Sequence, residues 1–343
     1  MKKQLVIRNE SFSFLLERKT LLTTTILAIL TFAAFVVSIG TGEMYISPIN
    51  VIKTLFGAGE KQYELVIETF RLPRILVALL IGAALSVSGS ILQGIIRNPL
   101  ASPDIVGITH GASVAAVGLL TLFPTVSVFW LPPVTLIGAG VVAAIIYLLA
   151  WKDGVTPIRL VLIGVGIKEV MAAITSLLVV TSPIYLTPKV QIWITGTVYG
   201  SNWENVSVLL PWVILMLILT MMYGRTVNVL QLGDDIAAGV GSPVSRHRLI
   251  LLFFSVALAG AAIAIGGAIS FVGLLGPHIA RKLVGPSFGG LLPVSAMVGA
   301  LIVMLSDLIG RTAFSPLDLP VGIFTSAIGA PFFIYLLFKN RNQ

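Results

Sequence analysis

The chain has 343 residues, of which 57% are hydrophobic and only 10% charged, and its mean hydropathy is +1.02. A soluble domain carries about 25% charged residues, so a water-bathed surface is excluded and a polytopic membrane protein is indicated. The net charge of +8 is scattered in ones and twos rather than gathered in a basic stripe, which argues against nucleic-acid binding, and the lack of cysteine excludes disulfides and thiolate metal sites.

Ten apolar segments follow one another. Leu21–Ile39 opens the series, and its run of about 19 residues exceeds a signal-peptide core, so it reads as a first span rather than a cleaved leader. Next come Ile75–Ile96, Ile105–Phe123, Leu131–Trp151 and Leu160–Thr181, then Val206–Tyr223, Leu249–Ile269, Phe271–Val284, Leu291–Ile309 and Leu319–Phe338. All but Phe271–Val284 are long enough for a hydrocarbon core of about 30 Å; that one is short and interrupted by Gly276-Pro277. Loop charge argues that it crosses nonetheless. With a cytoplasmic amino terminus and ten crossings, 15 of the 22 Lys and Arg residues fall inside and six outside, with Lys168 within a span, as the positive-inside bias requires. The second and seventh segments are rich in small residues (Gly82, Ser86, Gly89, Ser90; Gly260, Ala264, Gly267), which lets helix backbones approach closely.

A transporter needs an energy source, and the options leave different marks. A proton- or sodium-coupled carrier keeps ionisable groups inside its spans; here these are Lys168, Glu169, Asp307 and the partly embedded His110, and Asp307 is spaced i,i+4 from Arg311 as a local ion pair. A phosphate loop of the GxxxxGK[ST] kind is missing, since Lys19-Thr20 and Lys53-Thr54 follow no suitable glycines. If ATP drives this chain, another polypeptide hydrolyses it. A membrane enzyme is disfavoured, because His110, His247 and His278 are far apart and no catalytic or HExxH cluster can be assembled.

Three stretches are distinctive: RLPRILVALLIGAALSVSGSILQGIIRNPLASPDIVGITHG from Arg71, LQLGDDIAAGVGSPVSRHR from Leu230, and Gly267 to Phe338 with SFVGLLGPHIARKLVG and LPVGIFTSAIGAPFFIYLL. Together they resemble the permease family of binding-protein-dependent ABC importers for iron–siderophore complexes, haem and vitamin B12. The resemblance implies an all-α, ten-helix integral membrane fold of the type II importer kind, with spans two to five and seven to ten as repeats of opposite orientation. It implies a bacterial cytoplasmic membrane location and both termini in the cytoplasm: residues 1–20 as an amino-terminal segment, 21–338 as the permease domain, 339–343 as a tail. It also implies a second permease subunit, two ATPase subunits carrying ATP-Mg, an extracytoplasmic binding protein, and no cofactor on this chain. A ferric siderophore is the expected cargo, with haem and cobalamin as alternatives; an ion-coupled secondary carrier is the competing class.

The loop of about 225–248 reads as the ATPase-coupling element. Asp234 or Asp235 can cap a short helix, with Gly239 and Gly241 as stop and turn, and the resemblance assigns Leu232, Gly233, Asp234, Ala237 and Gly241 to the docking surface. Arg71, Arg74 and Arg311 fall on the outside against the general bias, and the resemblance places them opposite acidic residues of the binding protein; snorkelling to headgroups is the alternative. Lys168 and Glu169 lie about ten residues into the fifth span, either lining the central pathway or pairing with neighbours. His110 is expected to be a packed, hydrogen-bonded core residue, His278 a helix-start packing residue and His247 part of a solvated loop. The stretch Gln191–Trp203 resembles a short outer gating helix, with Trp193, Tyr199 and Trp203 as its aromatic anchors or as interface residues.

Overall fold

The computed structural model describes residues 4–8, 13–104, 106–123, 125–151 and 156–339. A short antiparallel hairpin, β1 (Gln4–Arg8) and β2 (Ser13–Glu17), precedes the helices and pairs Gln4 with Glu17 and Arg8 with Ser13. This small sheet is an addition to the all-helical expectation. The helices are α1 (Arg18–Gly40), α2 (Pro48–Leu55), α3 (Lys61–Glu64), α4 (Leu72–Ile96), α5 (Ile108–Leu122), α6 (Leu131–Ala150), α7 (Pro157–Thr181), α8 (Thr187–Thr195), α9 (Trp203–Met222), α10 (Gly224–Gln231), α11 (Asp234–Gly239), α12 (Val244–Gly266), α13 (Val272–Val284), α14 (Phe288–Thr312) and α15 (Val321–Lys339).

Each of the ten apolar segments corresponds to one helix. Among the described residues, eight helical stretches are long and apolar enough to cross a membrane, whereas α5 has 15 residues and α13 has 13. The second stretch is longer than its apolar run suggested. A widened π-helical passage, Leu65–Arg71, joins α3 to α4 and makes one continuous helix of 36 residues. Local signals explain the starts and stops. Ser47 accepts from the Asn50 amide at the head of α2, and Asn202 and Asn205 form a reciprocal capping box on α9. Prolines sit in the first turns of α2, α4, α6, α7 and α8, where a missing N–H costs nothing.

The buried axle of the bundle is α4, packed against α12, α13 and α14. Its small residues replace side-chain packing with backbone contact. A Cβ at Gly82 would stand 2.2 Å from the Gly299 carbonyl oxygen, and one at Gly89 only 1.8 Å from that of Gly273. Between these contacts, Ser86 and Ser90 hydrogen-bond Ser295 of α14 at 2.7 and 2.8 Å, and Ser88 bonds Ser255 of α12 at 2.7 Å. Close approach and interhelical hydroxyl bonds do here what burial of apolar surface does in water.

The contacts repeat in mirrored form. Helix α4 packs on α13 and α14 while α12 packs on α5 and α6, and α5–α6 is matched by α13–α14. Both short helices begin at a left-handed residue, Gly107 (φ 93°) before α5 and Phe271 (φ 66°) before α13. The pattern relates α4–α6 to α12–α14 as two repeats. Phe271 adopts a backbone region that bulky residues rarely visit, and its amide donates to Asp104 Oδ2 at 3.4 Å, tying the start of one repeat's short helix to the loop before the other's.

Candidate functional site

Three places hold the candidate residues read from the sequence: one end of the α1–α4–α14 contact, the exposed face of α7, and the α10–α11 elbow.

At the first, Arg71, Arg74 and Arg311 are brought together around a cavity of about 350 Å³ that Glu43 and Asp318 also line. Arg74 donates through Nε and Nη2 to Asp307 Oδ1 at 2.9 and 2.7 Å, and through Nη1 and Nη2 to Asp318 at 2.6 and 2.8 Å. The Asp307 side chain is 1% exposed. The i,i+4 pair between Asp307 and Arg311 exists at 3.4 Å, yet the shorter bonds go to Arg74, 233 positions away. Helix α1 has no basic residue in its last turn, so distant arginines supply its cap. Arg71 donates to the carbonyls of Ile39 and Met44 at 2.7 and 2.6 Å, and Arg311 to those of Ser38 and Thr41. The carbonyls of Ser38 and Ile39 are among those a helix end leaves open, at its negative pole; Thr41 and Met44 belong to the chain just beyond it. All three guanidinium groups are thus engaged within the chain. Asp318 was not singled out from the sequence. Its signal was a lone carboxylate in the otherwise uncharged stretch Thr312–Gly322.

At the second place, α7 carries Lys168 and Glu169 and is the most exposed of the eight long helices, with 11% of its apolar window buried. Lys168 Nζ lies 3.9 Å from Glu169 Oε1, and the two side chains are 34% and 70% exposed. One helical face runs from Lys168 through Ala172, Thr175, Ser176 and Val179. The last four line a cavity of about 520 Å³ together with Thr109, His110 and Ser113 of α5, Gln191 of α8 and Ser270. His110 does not behave as a hydrogen-bonded core residue: it faces this cavity, and its buried Nδ1 has no hydrogen-bond partner.

A short helix is expected in Gln191–Trp203; α8 covers only Gln191–Thr195 of that stretch, starts earlier, at Thr187, and leaves 196–202 outside any helix. It is laced to its neighbours by backbone bonds, with the Gly322 amide donating to Gly196 O at 3.0 Å and that of Ala268 to Trp193 O at 3.3 Å. Trp193 is 9% exposed and packs in the core rather than anchoring an interface. Tyr199 and Trp203 are exposed; the former lies 5.6 Å from the Arg74 guanidinium and the latter donates to Glu68 O at 2.7 Å.

At the third place the N-cap of α11 is Gly233 (φ 113°), with no side-chain cap. Asp234 and Asp235 occupy the first turn instead, where a negative charge suits the dipole. Asp234 also accepts from Arg248 Nη2 at 2.9 Å and stands 3.4 Å from Arg97 Nη2, joining α11 to α12 and to the end of α4. Ala237 is fully buried, so it holds the elbow to the bundle rather than edging it. The exposed edge is Leu232, Ile236 and Val240, at 61%, 55% and 67%. Ile236 and Val240 were missed, although the i,i+4,i+8 spacing of apolar residues in a charged loop was legible. Helix α11 ends at Gly239, and Gly241 turns at φ 81°. His247 is half-buried, bonded to Ser242 Oγ at 2.9 Å and edge-on to Tyr223, which corrects the solvated reading. His278 sits mid-helix in α13 against Phe332, at 5.3 Å between ring centres.

The profile of the FecCD transport family matches residues 29–339. The chain is 50% identical over 333 residues to the Bacillus subtilis (strain 168) protein named "Probable siderophore transport system permease protein YfhA", covering 95% of this chain and 97% of that one. It is 47% identical over 339 residues to the achromobactin transport system permease protein CbrC of Dickeya dadantii (strain 3937), covering 98% and 97%. A solved inward-facing structure of a metal-chelate type ABC transporter superposes with a TM-score of 0.82 at 30% identity, over 93% of this chain and 99% of that one.

Proposed function

The chain belongs to the FecCD transport family, which makes it a permease subunit of an ABC importer of the iron-chelate class, and from that premise we propose that it carries a ferric siderophore by alternating access. It is a translocation subunit and not an enzyme; ATP is hydrolysed on a separate chain. Ten crossings with both termini in the cytoplasm accord with the distribution of basic residues. Residues 1–20 and 339–343 are then cytoplasmic, and 225–248 holds the coupling element.

The observation that carries the reading is the open face of α7. A Lys–Glu pair in the middle of a membrane helix is costly against lipid, by about 2.5–3.5 kcal/mol for each charge on insertion scales. This face is exposed in the single chain and continues into a hydroxyl-lined cavity. It therefore faces a second permease subunit across a water-filled path, with Lys168 and Glu169 beside the passing chelate. The apolar edge of Leu232, Ile236 and Val240 offers a groove-filling ridge to the ATPase, with Asp234 transmitting its movement to α4 and α12. Arg71, Arg74 and Arg311 shape the outer surface for the binding protein by fixing α1 and the Ser315–Asp318 loop.

Uptake of radiolabelled iron, in cells that also make the ATPase and binding protein, tests this. Lys168→Ala should reduce uptake of an anionic ferric siderophore more than of a neutral one. Equal effects would remove Lys168 from recognition. Transport by the chain expressed without any ATPase would mark a secondary carrier, and uptake of haem or cobalamin in place of the siderophore would change the cargo.

A further inference from the structure

At the far end of α4 from the arginine cluster, a cleft of about 370 Å³ is lined by Gln93, Arg97, Gln231, His278, Arg281 and Lys282. Arg281 Nη2 donates to Gln93 Oε1 at 3.0 Å. A guanidinium has donors only, so this bond fixes which way the amide lies. It leaves Gln93 Nε2 as a donor on a side chain that is 3% exposed, buried and with no hydrogen-bond partner. His278 Nε2 is likewise a buried atom without a hydrogen-bond partner. Among the described residues, no carboxylate lies within ion-pair distance of Arg281 or Lys282. Arg97 stands 3.4 Å from Asp234, which already takes a bond from Arg248 at 2.9 Å.

A buried donor without an acceptor is unfavourable until an acceptor arrives. Beside three uncompensated or half-compensated cations, the acceptor that suits it is a compact anion with several oxygens. Depth narrows the source. Arg97 directly follows the last residue of α4, and Lys282 lies two residues from the end of α13. The cleft therefore sits where membrane helices end, at the level of lipid headgroups, and basic pockets between helices at that depth suit anionic lipid.

We propose that this cleft binds the phosphate of an anionic phospholipid, with Arg281 and Lys282 on its oxygens and Gln93 Nε2 donating to one of them. His278 meets the glycerol part of the headgroup or a further oxygen, according to its tautomer. The ligand would join the end of α4 to α13 beside Arg97, which itself touches the coupling element.

Native mass spectrometry of the purified transporter, assembled with its ATPase subunits, tests the site. The complex is offered phosphatidylglycerol, phosphatidylcholine with the same acyl chains, or inorganic phosphate. The expected result is retained phosphatidylglycerol, favoured over phosphatidylcholine by roughly tenfold or more, the order that two basic contacts give. Combined Arg281→Ala and Lys282→Ala should abolish the preference, and Lys61→Ala, far away in α3, should leave it. Gln93→Glu keeps an acceptor for Arg281 and so should fold, but it sets a carboxylate against the phosphate and should also abolish retention. An unchanged preference in the Arg281→Ala and Lys282→Ala double variant or in Gln93→Glu, or equal retention of both lipids by the native chain, overturns the proposal. Retained inorganic phosphate that displaces the lipid assigns the cleft to a free anion and overturns the lipid source. Lipid retained by the permease but lost on ATPase assembly assigns it to the ATPase and overturns the proposal likewise.

Discussion

Replacing Arg74 by Met removes four hydrogen bonds at once, two to Asp307 and two to Asp318. The two carboxylates respond differently. The Asp318 side chain is 27% exposed and can turn to water, so its share is that of a surface pair, below about 1 kcal/mol. The Asp307 side chain is 1% exposed and keeps only Arg311 Nε at 3.4 Å, without hydrogen-bond alignment. A buried charge stripped of its partner costs about 3–5 kcal/mol, and that is the loss expected for Arg74→Met. Removing both charges in Arg74→Met with Asp307→Leu should cost only about 1–2 kcal/mol, because an ion pair replaced by apolar groups is often close to neutral. With Asp307→Leu alone costing about 1 kcal/mol, because Arg74 keeps Asp318, the coupling energy is on the order of 3–4 kcal/mol, measured as a double-mutant cycle of unfolding free energies in mixed micelles. A loss below about 1 kcal/mol for the single variant, or additive losses, would refute the reasoning. The result also bears on function: reversing Arg74 or Arg311 to Glu breaks this network, so lost uptake in such variants says nothing of binding-protein docking until folding is shown intact.

Other consequences are equally measurable. Gly89→Ala should sharply lower the yield of folded protein, since its Cβ would meet the Gly273 oxygen at 1.8 Å and overpacking costs about 1–3 kcal/mol or more; Gly140→Ala, with open space around it, should be neutral or gain about 0.5–1 kcal/mol. Truncating Leu232, Ile236 and Val240 to Ala should cut co-purification of the ATPase by about tenfold or more without shifting the permease's thermal stability, as loss of exposed anchors at an interface does. Asp234→Asn should leave the ATPase bound but lower transport per ATP hydrolysed, measured in proteoliposomes, because the strut from α11 to Arg97 and Arg248 is weakened.

The helices were readable because each apolar run had to match one, and turn residues marked their limits: Pro157 begins α7 and Gly285 ends α13. The elbow at 230–241 was readable for the same reason, being polar and glycine-punctuated. What escaped was set by distance along the chain. Nothing near Arg74 announces Asp307 or Asp318, and nothing in the last turn of α1 shows that Arg71 and Arg311 will cap it. Trp193 allowed two readings, an anchor of the short helix or an interface residue, because aromatic residues near span ends are often the latter; the bonds that fold α8 back onto the loop after α12 bury it. Phe271 gives no local sign of its left-handed backbone, which the packing of two short helices imposes.

The hydroxyl and backbone contacts of α4 bear on how such a protein can move. Sliding or rolling α4 past α14 would break Ser86–Ser295 and drive Gly82 into Gly299, so the two must travel as one beam. Few contacts, by comparison, hold the long helix that bears Lys168. Spin labels across the beam should report one fixed distance through the whole transport cycle, while labels on α7 sweep between two.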